Sequence, residues 1–255
     1  MIWLDAAQIQ VAFRTASFAT RLAFAYFRAV IRLVLFDIDG TLIRTGGAGM
    51  RAFDKAFETE FKSSGVTKGV SFAGRTDTGL VRECFLKLEI SHDAKNQRRF
   101  FDAYVFWLDH FLGQFHGQVC FGVHDWIEAL GRLPRSPALG LLTGNIRLGA
   151  EIKLRHYGLW HHFRSGAFGD DHENRNELAV IARERGSRLV GSSLRGDEIL
   201  VIGDTPLDIQ CARAVNARVL AVATGGHTSE ELRLHQPDWV ADELRELDVA
   251  DVCFR

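Results

Sequence analysis

Apolar and polar positions along this chain fall into two alternating kinds of block. Val34-Leu35-Phe36, the run from Ala138 to Leu142, and Ile199-Leu200-Val201-Ile202 are short continuous apolar stretches, each followed by polar residues. Such runs suit central parallel strands covered on both faces. Elsewhere apolar residues recur at helix spacing: Met50, Phe53, Phe57 and Phe61, then Leu80, Val81, Cys84, Phe85 and Leu88, then Phe101, Tyr104, Leu108, Phe111, Leu112 and Phe115. These aromatic stripes read as helix packing. Helices are predicted over 124–133, 145–157 and 176–185, with a polar loop over 187–197 and a short strand over 167–169. A further helix opens at Pro206, where proline costs no hydrogen bond in the first turn. A strand is predicted over 218–223, and 238–241 reads as the approach to a last helix. Thr228-Ser229-Glu230-Glu231 has capping-box spacing. Strands alternating with helices predict an α/β fold, a doubly wound parallel sheet.

The first strand ends in Asp37-Ile38-Asp39-Gly40-Thr41, and open α/β sheets bind ligands at the carboxyl ends of their strands. Residues two apart on an extended chain face the same side, so both acids can address one site. Two such carboxylates share a site only if a cation neutralises one or a proton stays on the other. A metal-assisted acid–base site meets both conditions; the plainer alternative is that the acids cap a turn. Gly40 lets the backbone turn, and Thr41 adds a hydroxyl.

Composition narrows the field. The 255 residues, 47% hydrophobic, are enough for one large domain or a core with an insertion. With 31 basic against 32 acidic residues, nothing points to an extended nucleic-acid surface, and a small substrate is expected. Cys84, Cys120, Cys211 and Cys253 form no Cys-x-x-Cys pair, which argues against structural zinc and for a reducing compartment, taken as the cytoplasm. His156, His161 and His162 cluster without a metal-ligand pattern joined to the acids.

The acidic stretch resembles the first motif of the haloacid dehalogenase-like (HAD) superfamily, and three more motifs follow in that family's order. They are Leu141-Leu142-Thr143-Gly144-Asn145, Arg175, and Ile199 to Asp208 with Asp204 and Asp208 as its acids. The resemblance implies a Rossmann-like core with an inserted helical cap, and a magnesium-dependent, phosphoglycolate phosphatase-like enzyme acting on a small phosphorylated metabolite. It implies Asp37 as nucleophile and Asp39 as the acid and base serving the leaving oxygen and then water. Magnesium would sit with Asp37, the Asp39 backbone carbonyl and Asp204, while Asp208 would hold metal-bound water. Thr143, Arg175 and the Gly144 and Asn145 amides would hold the phosphoryl group, with Thr41 and Arg75 as further substrate contacts. Arg175 departs from the family's commoner lysine-proline. Lys153 is the alternative, although ten residues of helix after Thr143 would carry it about 15 Å along the axis. A phosphomutase, or a scaffold kept only for binding, are the competing functions; the intact acids oppose the second.

The implied domains are a core over 31–44 and 121–255, and a cap over 45–120. Thr76, Asp77 or Thr78 in the cap can each serve as a helix N-cap. Residues 1–30 form an N-terminal extension in which Arg14, Arg21 and Arg28 recur every seven residues. That pattern fits an amphipathic accessory helix, a transit-like or membrane-surface segment, or a misassigned start, but no membrane span. The expected assembly is a monomer or homodimer.

Overall fold

The computed structural model describes residues 31–254; the reading of 1–30 lies outside them. Six strands form one parallel sheet in the order β5-β4-β1-β6-β7-β8: β1 is Leu33–Phe36, β4 Ala138–Leu142, β5 Ser165–Ala167, β6 Ile199–Gly203, β7 Arg218–Val222 and β8 Trp239–Ala241. β1 lies in the middle, its Phe36 level with Leu141 on one side and Ile202 on the other. Every residue of β1 is buried because the sheet is covered on both faces. Leu33 and Leu35 face one core with Val201, Val219 and Ala221, while Val34 and Phe36 face the other with Leu200, Ile202 and Leu220. That split is the two-residue period of a strand. The expected α/β fold with a parallel sheet is therefore the fold observed.

Helices cover both faces. α4 (Val123–Arg132) and α5 (Arg147–His156) lie on the Phe36 side, and α6 (Arg175–Val190) and α7 (Pro206–Ala214) on the Leu35 side. Three local expectations change, the first being the strand expected over 167–169, which is β5 at Ser165–Ala167. The helix starting at Arg175 runs to Val190, four residues into the stretch 187–197 expected to be a loop, and Gly186 lets its backbone press against Leu33, where a Cβ would collide with the leucine side chain. The stretch expected to lead into a last helix holds strand β8 at Trp239–Ala241: Trp239 and Val240 pair with Leu220 and Ala221, and Asp238 Oδ2, just before the strand, accepts from the Val219 amide at 2.8 Å. Thr228 does cap α8 (Ser229–Arg233), its hydroxyl accepting from Glu231 N; a short α9 (Val249–Cys253) follows.

Between β1 and β4 lie α1 (Ala48–Phe61), α2 (Asp77–Lys87) and α3 (Ala94–Leu112), flanked by the antiparallel pair β2 (Ile43–Arg44) and β3 (Gln118–Val119). The three helices enclose a separate, phenylalanine-rich core. The Phe100 ring sits 4.7 Å from both Phe53 and Phe57, a spacing at which aromatic pairs gain about 0.5–1.5 kcal/mol beyond area burial. Phe100 lay outside the predicted stripe yet is fully buried, whereas Met50, inside it, is half exposed. All four cysteines are buried and free. Among the described residues no helix is long and apolar enough to cross a membrane.

Candidate active site

The ends of β1, β4 and β6 bring three polar loops together. Asp37 extends the β1 ladder by one residue, its amide donating to Ile202 O at 2.9 Å, and is buried. Gly40, at φ 88°, turns the chain where any Cβ would run into the Asp204 carboxylate. Thr41 Oγ1 then donates to Asp204 Oδ1 at 3.0 Å. The structure thus places Thr41 beneath Asp204, away from the cavity described below.

Asp39 faces that cavity, its side chain 43% exposed. Its Oδ2 accepts from Asn145 Nδ2 at 2.8 Å and from Lys153 Nζ at 2.6 Å, and Lys153 also donates to Asn145 Oδ1 at 2.6 Å. Asn145 Nδ2 and its backbone amide both reach Thr143 Oγ1. That hydroxyl therefore accepts from nitrogen and keeps its own proton available for donation. Lys153 reaches the site because α5 begins at Arg147, so only about 9 Å of helix rise separates it from the first turn. Helical side chains also lean toward the N-terminus. The 15 Å expectation counted from the wrong starting residue.

Arg175, the first residue of α6, lies on the other side of Asp37. Its Nη2 is 2.8 Å from Asp37 Oδ1, in ion-pair range but off the hydrogen-bond direction, and it also pairs with Asp208 Oδ1. Nη1 donates to Gly74 O at 3.0 Å. Asp208 is further held through Oδ2 by the Thr205 amide and hydroxyl, in the capping box of α7. Burial pushes the Asp37 carboxyl up to about 6, against the pull of Arg175 and with added repulsion from Asp208 and Asp39. Burial, then Asp208 and Asp37, hold Asp204 well above the usual carboxylate range. Burial works against the Arg175 charge, yet Asp208 and Asp37 overcome it and keep the guanidinium protonated.

Oxygens of Asp37, Asp204 and Asp208 lie within 4.8 Å of one another. Among the described residues Asp37 Oδ1 has no hydrogen-bond partner although buried, and Gly40 and Gly225 leave the Asp204 carboxylate the space that a Cβ would fill. An all-oxygen cluster with mutual repulsion and an unsatisfied buried acceptor fits a hard divalent cation. Asp208, committed to Arg175 and Thr205, is the least free of the three.

A cavity of about 220 Å³ opens above these groups. Asp37, Asp39, Thr143, Gly144, Asn145, Lys153 and Arg175 form its floor; Met50, Phe53, Phe72, Leu80 and Tyr104 form much of its roof, with Arg75 and Asp77 between. The segment after Phe72 is pinned to the floor. Asp77 N donates to Gly144 O, Asp77 Oδ2 accepts from Ile146 N at 2.9 Å, and Thr78 Oγ1 donates to Gly169 O at 2.6 Å. Thr76 takes the N-cap of α2, accepting from Gly79 N. Gly144 has no room for a Cβ beside the Arg75 carbonyl. Arg75 lines the cavity, yet its guanidinium pairs with Glu83 at 2.7 Å. Burial raises Asp77 to about 6 despite Lys153 nearby and the Ile146 N–H.

Residues 34–222 match the family described as haloacid dehalogenase-like hydrolase. The chain belongs to that family. Among its relatives, the phosphoglycolate phosphatases of Salmonella choleraesuis and Escherichia coli O157:H7 are each 24% identical over 243 residues, covering 85% of this chain and 91% of theirs. Two solved structures share the fold. A predicted phosphoglycolate phosphatase from Haemophilus somnus has a TM-score of 0.64 at 18% identity, over 87% of this chain and 96% of its own. CbbY from Rhodobacter sphaeroides, solved with phosphate, has 0.65 at 16%, over 85% and 96%. The expected family and enzyme class, a hydrolase similar to phosphoglycolate phosphatases, therefore hold.

Within this HAD-family site, the structure brings together the expected Asp37, Asp39, Asp204, Thr143 and Arg175, and adds a partnership of Asn145 and Lys153 that the sequence reading does not contain. Asn145 was read for its backbone amide alone, and that amide precedes the helix by two residues. The missed signal was the alternation Thr143-x-Asn145, which puts both side chains toward one site, as in Asp37-x-Asp39. Met50, Phe53 and Tyr104 were read as packing; nothing in helical periodicity separates a core wall from a cavity wall.

Proposed function

We propose that this chain is a magnesium-dependent phosphatase that hydrolyses a small phosphate monoester through an aspartyl-phosphate. The observation that carries the reading is the pair Asp37 and Asp39: one acid buried against Arg175, the other exposed to the same cavity and aimed by two nitrogen donors. A carboxylate oxygen of Asp37 attacks phosphorus as the ester oxygen leaves on the opposite side, giving an acyl phosphate and an alcohol. Asp39 gives its proton to the departing oxygen and later takes one from the water that attacks the acyl phosphate. Thr143 donates its free hydroxyl proton to a phosphoryl oxygen, while Arg175 places a fixed positive charge beside the nucleophile. Asp37, Asp204 and the Asp39 backbone carbonyl would hold the magnesium, which when bound offsets the negative charge of the phosphate and the acids.

In this reading α1, α2 and α3, residues 45–120, act as a cap over a core formed by 31–44 and 121–255. The protein works in the cytoplasm as a monomer or homodimer. The test is phosphate release from a panel of small esters, with magnesium and with chelator, beside Asp37→Asn. Magnesium-dependent release that falls by roughly 10⁴-fold in the variant is expected, since a lost nucleophile removes the covalent route. Absence of release from every ester would overturn the phosphatase reading, and transfer of the phosphate to a second hydroxyl would replace it with a mutase.

A further inference from the structure

The cavity has room above its floor, and the groups that surround that room differ sharply from the floor in charge. Met50, Phe53, Phe72 and Leu80 line it with apolar side chains, and Tyr104 with a ring that carries one hydroxyl. Among the described residues three cations line the cavity, and each already faces an acid: Arg175 with Asp37 and Asp208, Lys153 with Asp39, Arg75 with Glu83. Among the described residues, no lining cation is left to receive a second anionic group on a substrate whose phosphate occupies the floor. Two acids also look into the same space. Asp39 is part-exposed, and Asp77 stands on the roof side, held at the Ile146 amide by one oxygen.

From this juxtaposition we infer that the ester's organic part is uncharged and at least partly apolar, and that Asp77 selects against a second anion. The inference rests on the phosphatase reading for the place of the phosphate, and it goes beyond it by naming the leaving group's chemistry. A carboxylate-bearing ester such as phosphoglycolate would put its second charge near Asp77 and largely apolar side chains, with no unpaired cation among the described lining residues to receive it. Like charges brought together in a desolvated site are a recognised means of rejecting a wrong ligand. An alkyl or aryl phosphate meets no such opposition and gains contact with the Phe53 and Tyr104 rings. On this view the chain shares fold and motifs with phosphoglycolate phosphatases while its roof suits a different ester.

Two measurements test it. The first is kcat/KM for phenyl phosphate, ethyl phosphate and phosphoglycolate at pH 8 with magnesium, in the wild type, Asp77→Asn and Arg75→Ala. Asparagine keeps an acceptor for the Ile146 amide, so the helix contact survives. Expected is a preference of roughly tenfold or more for ethyl over phosphoglycolate, phenyl above both, and a ratio that moves toward phosphoglycolate by roughly tenfold in Asp77→Asn. Arg75→Ala leaves the ratio where it was. Phosphoglycolate equal to or better than ethyl phosphate in the wild type overturns the inference while leaving the phosphatase reading intact, as does loss of phosphoglycolate turnover in Arg75→Ala. The second measurement is calorimetric binding of phenyl phosphate and phosphoglycolate to Asp37→Asn with magnesium. It decides the inference even if no ester is hydrolysed: weaker phosphoglycolate binding supports it, and tighter phosphoglycolate binding overturns it.

Discussion

On the floor of the cavity Arg175 is 7% exposed and lies against two buried carboxylates, whereas on its roof side Arg75 is 34% exposed and pairs with a single, part-exposed Glu83. The two arginines make the same kind of contact in opposite settings. Arg175 neutralises Asp37, whose carboxyl burial has already pushed up to about 6, and pairs with Asp208 beside it, so the floor loses a whole charge balance if it goes. Glu83 keeps its charge easily, its carboxyl drawn down to about 2 by Lys87 first and then Arg75. The floor is a set of mutually dependent charges, and the roof is a packed carbon surface on which individual polar pairs are replaceable. A chain can therefore change what it admits without disturbing the groups that do the chemistry.

Exchanging the arginines is the strongest way to break that comparison. Arg175→Ala should destabilise the fold by about 3–5 kcal/mol, because it leaves Asp37 and Asp208 buried without their partner. Arg75→Ala should cost about 0–1 kcal/mol, the usual worth of a solvent-screened pair. Urea unfolding of both variants in chelator checks this. Equal effects would mean that burial does not separate the two pairs.

The floor was legible in the sequence because its residues follow strand ends. Asp37, Thr143 and Asp204 each come directly after a short apolar run, so their placement needs only the sheet. Arg175 was less direct, since it opens a helix and departs from the commoner residue of the family. Lys153 was misplaced because its reach depends on where α5 begins, and counting the rise from Thr143 instead of Arg147, four residues too early, adds about 6 Å. The roof was legible only as helices. Phe53 and Phe57 sit one turn apart with the same periodicity, yet Phe53 lines the cavity and Phe57 does not. That difference is set by how three helices pack on one another and on the sheet, which no local pattern encodes. The extension of α6 by one turn into the predicted loop has the same origin: Gly186 looks like a breaker locally, and becomes an asset only when Leu33 is pressed against it.

Asp77 joins the two regions, and its titration sharpens the comparison by a smaller amount. Burial raises its carboxyl from 3.8 to about 6 in the folded chain. Between those values the folded state binds a proton that the unfolded state has released, so stability falls as pH rises through the window. The shift corresponds to about 3 kcal/mol at 1.36 kcal/mol per unit. Asp77→Asn removes the titration and keeps an acceptor for Ile146 N. The stability of the variant relative to the wild type should therefore rise by a few kcal/mol from pH 4 to pH 7.5 and stay level above that. A difference that is flat across the range would show that the roof side holds Asp77 ionised at no cost.

The smallest effect expected belongs to Met50, half exposed at the cavity mouth, beside Phe53, which is 1% exposed three residues later on the same helix. Both line the cavity, so both touch whatever enters it. Only Phe53 also carries the helical core, with Phe57, Phe72, Phe100 and Tyr104 around its ring. Phe53→Ala should cost about 3–5 kcal/mol of stability through the cavity it leaves, while Met50→Ala should stay within about 0.5 kcal/mol. In steady-state assays Met50→Ala should raise KM for phenyl phosphate more than for ethyl phosphate, with kcat little changed, because methionine contributes contact with the organic part and none with the reacting atoms. Thermal unfolding with the two KM values gives the answer. A change in kcat with KM constant would place Met50 in the chemistry of the floor instead of the selectivity of the roof.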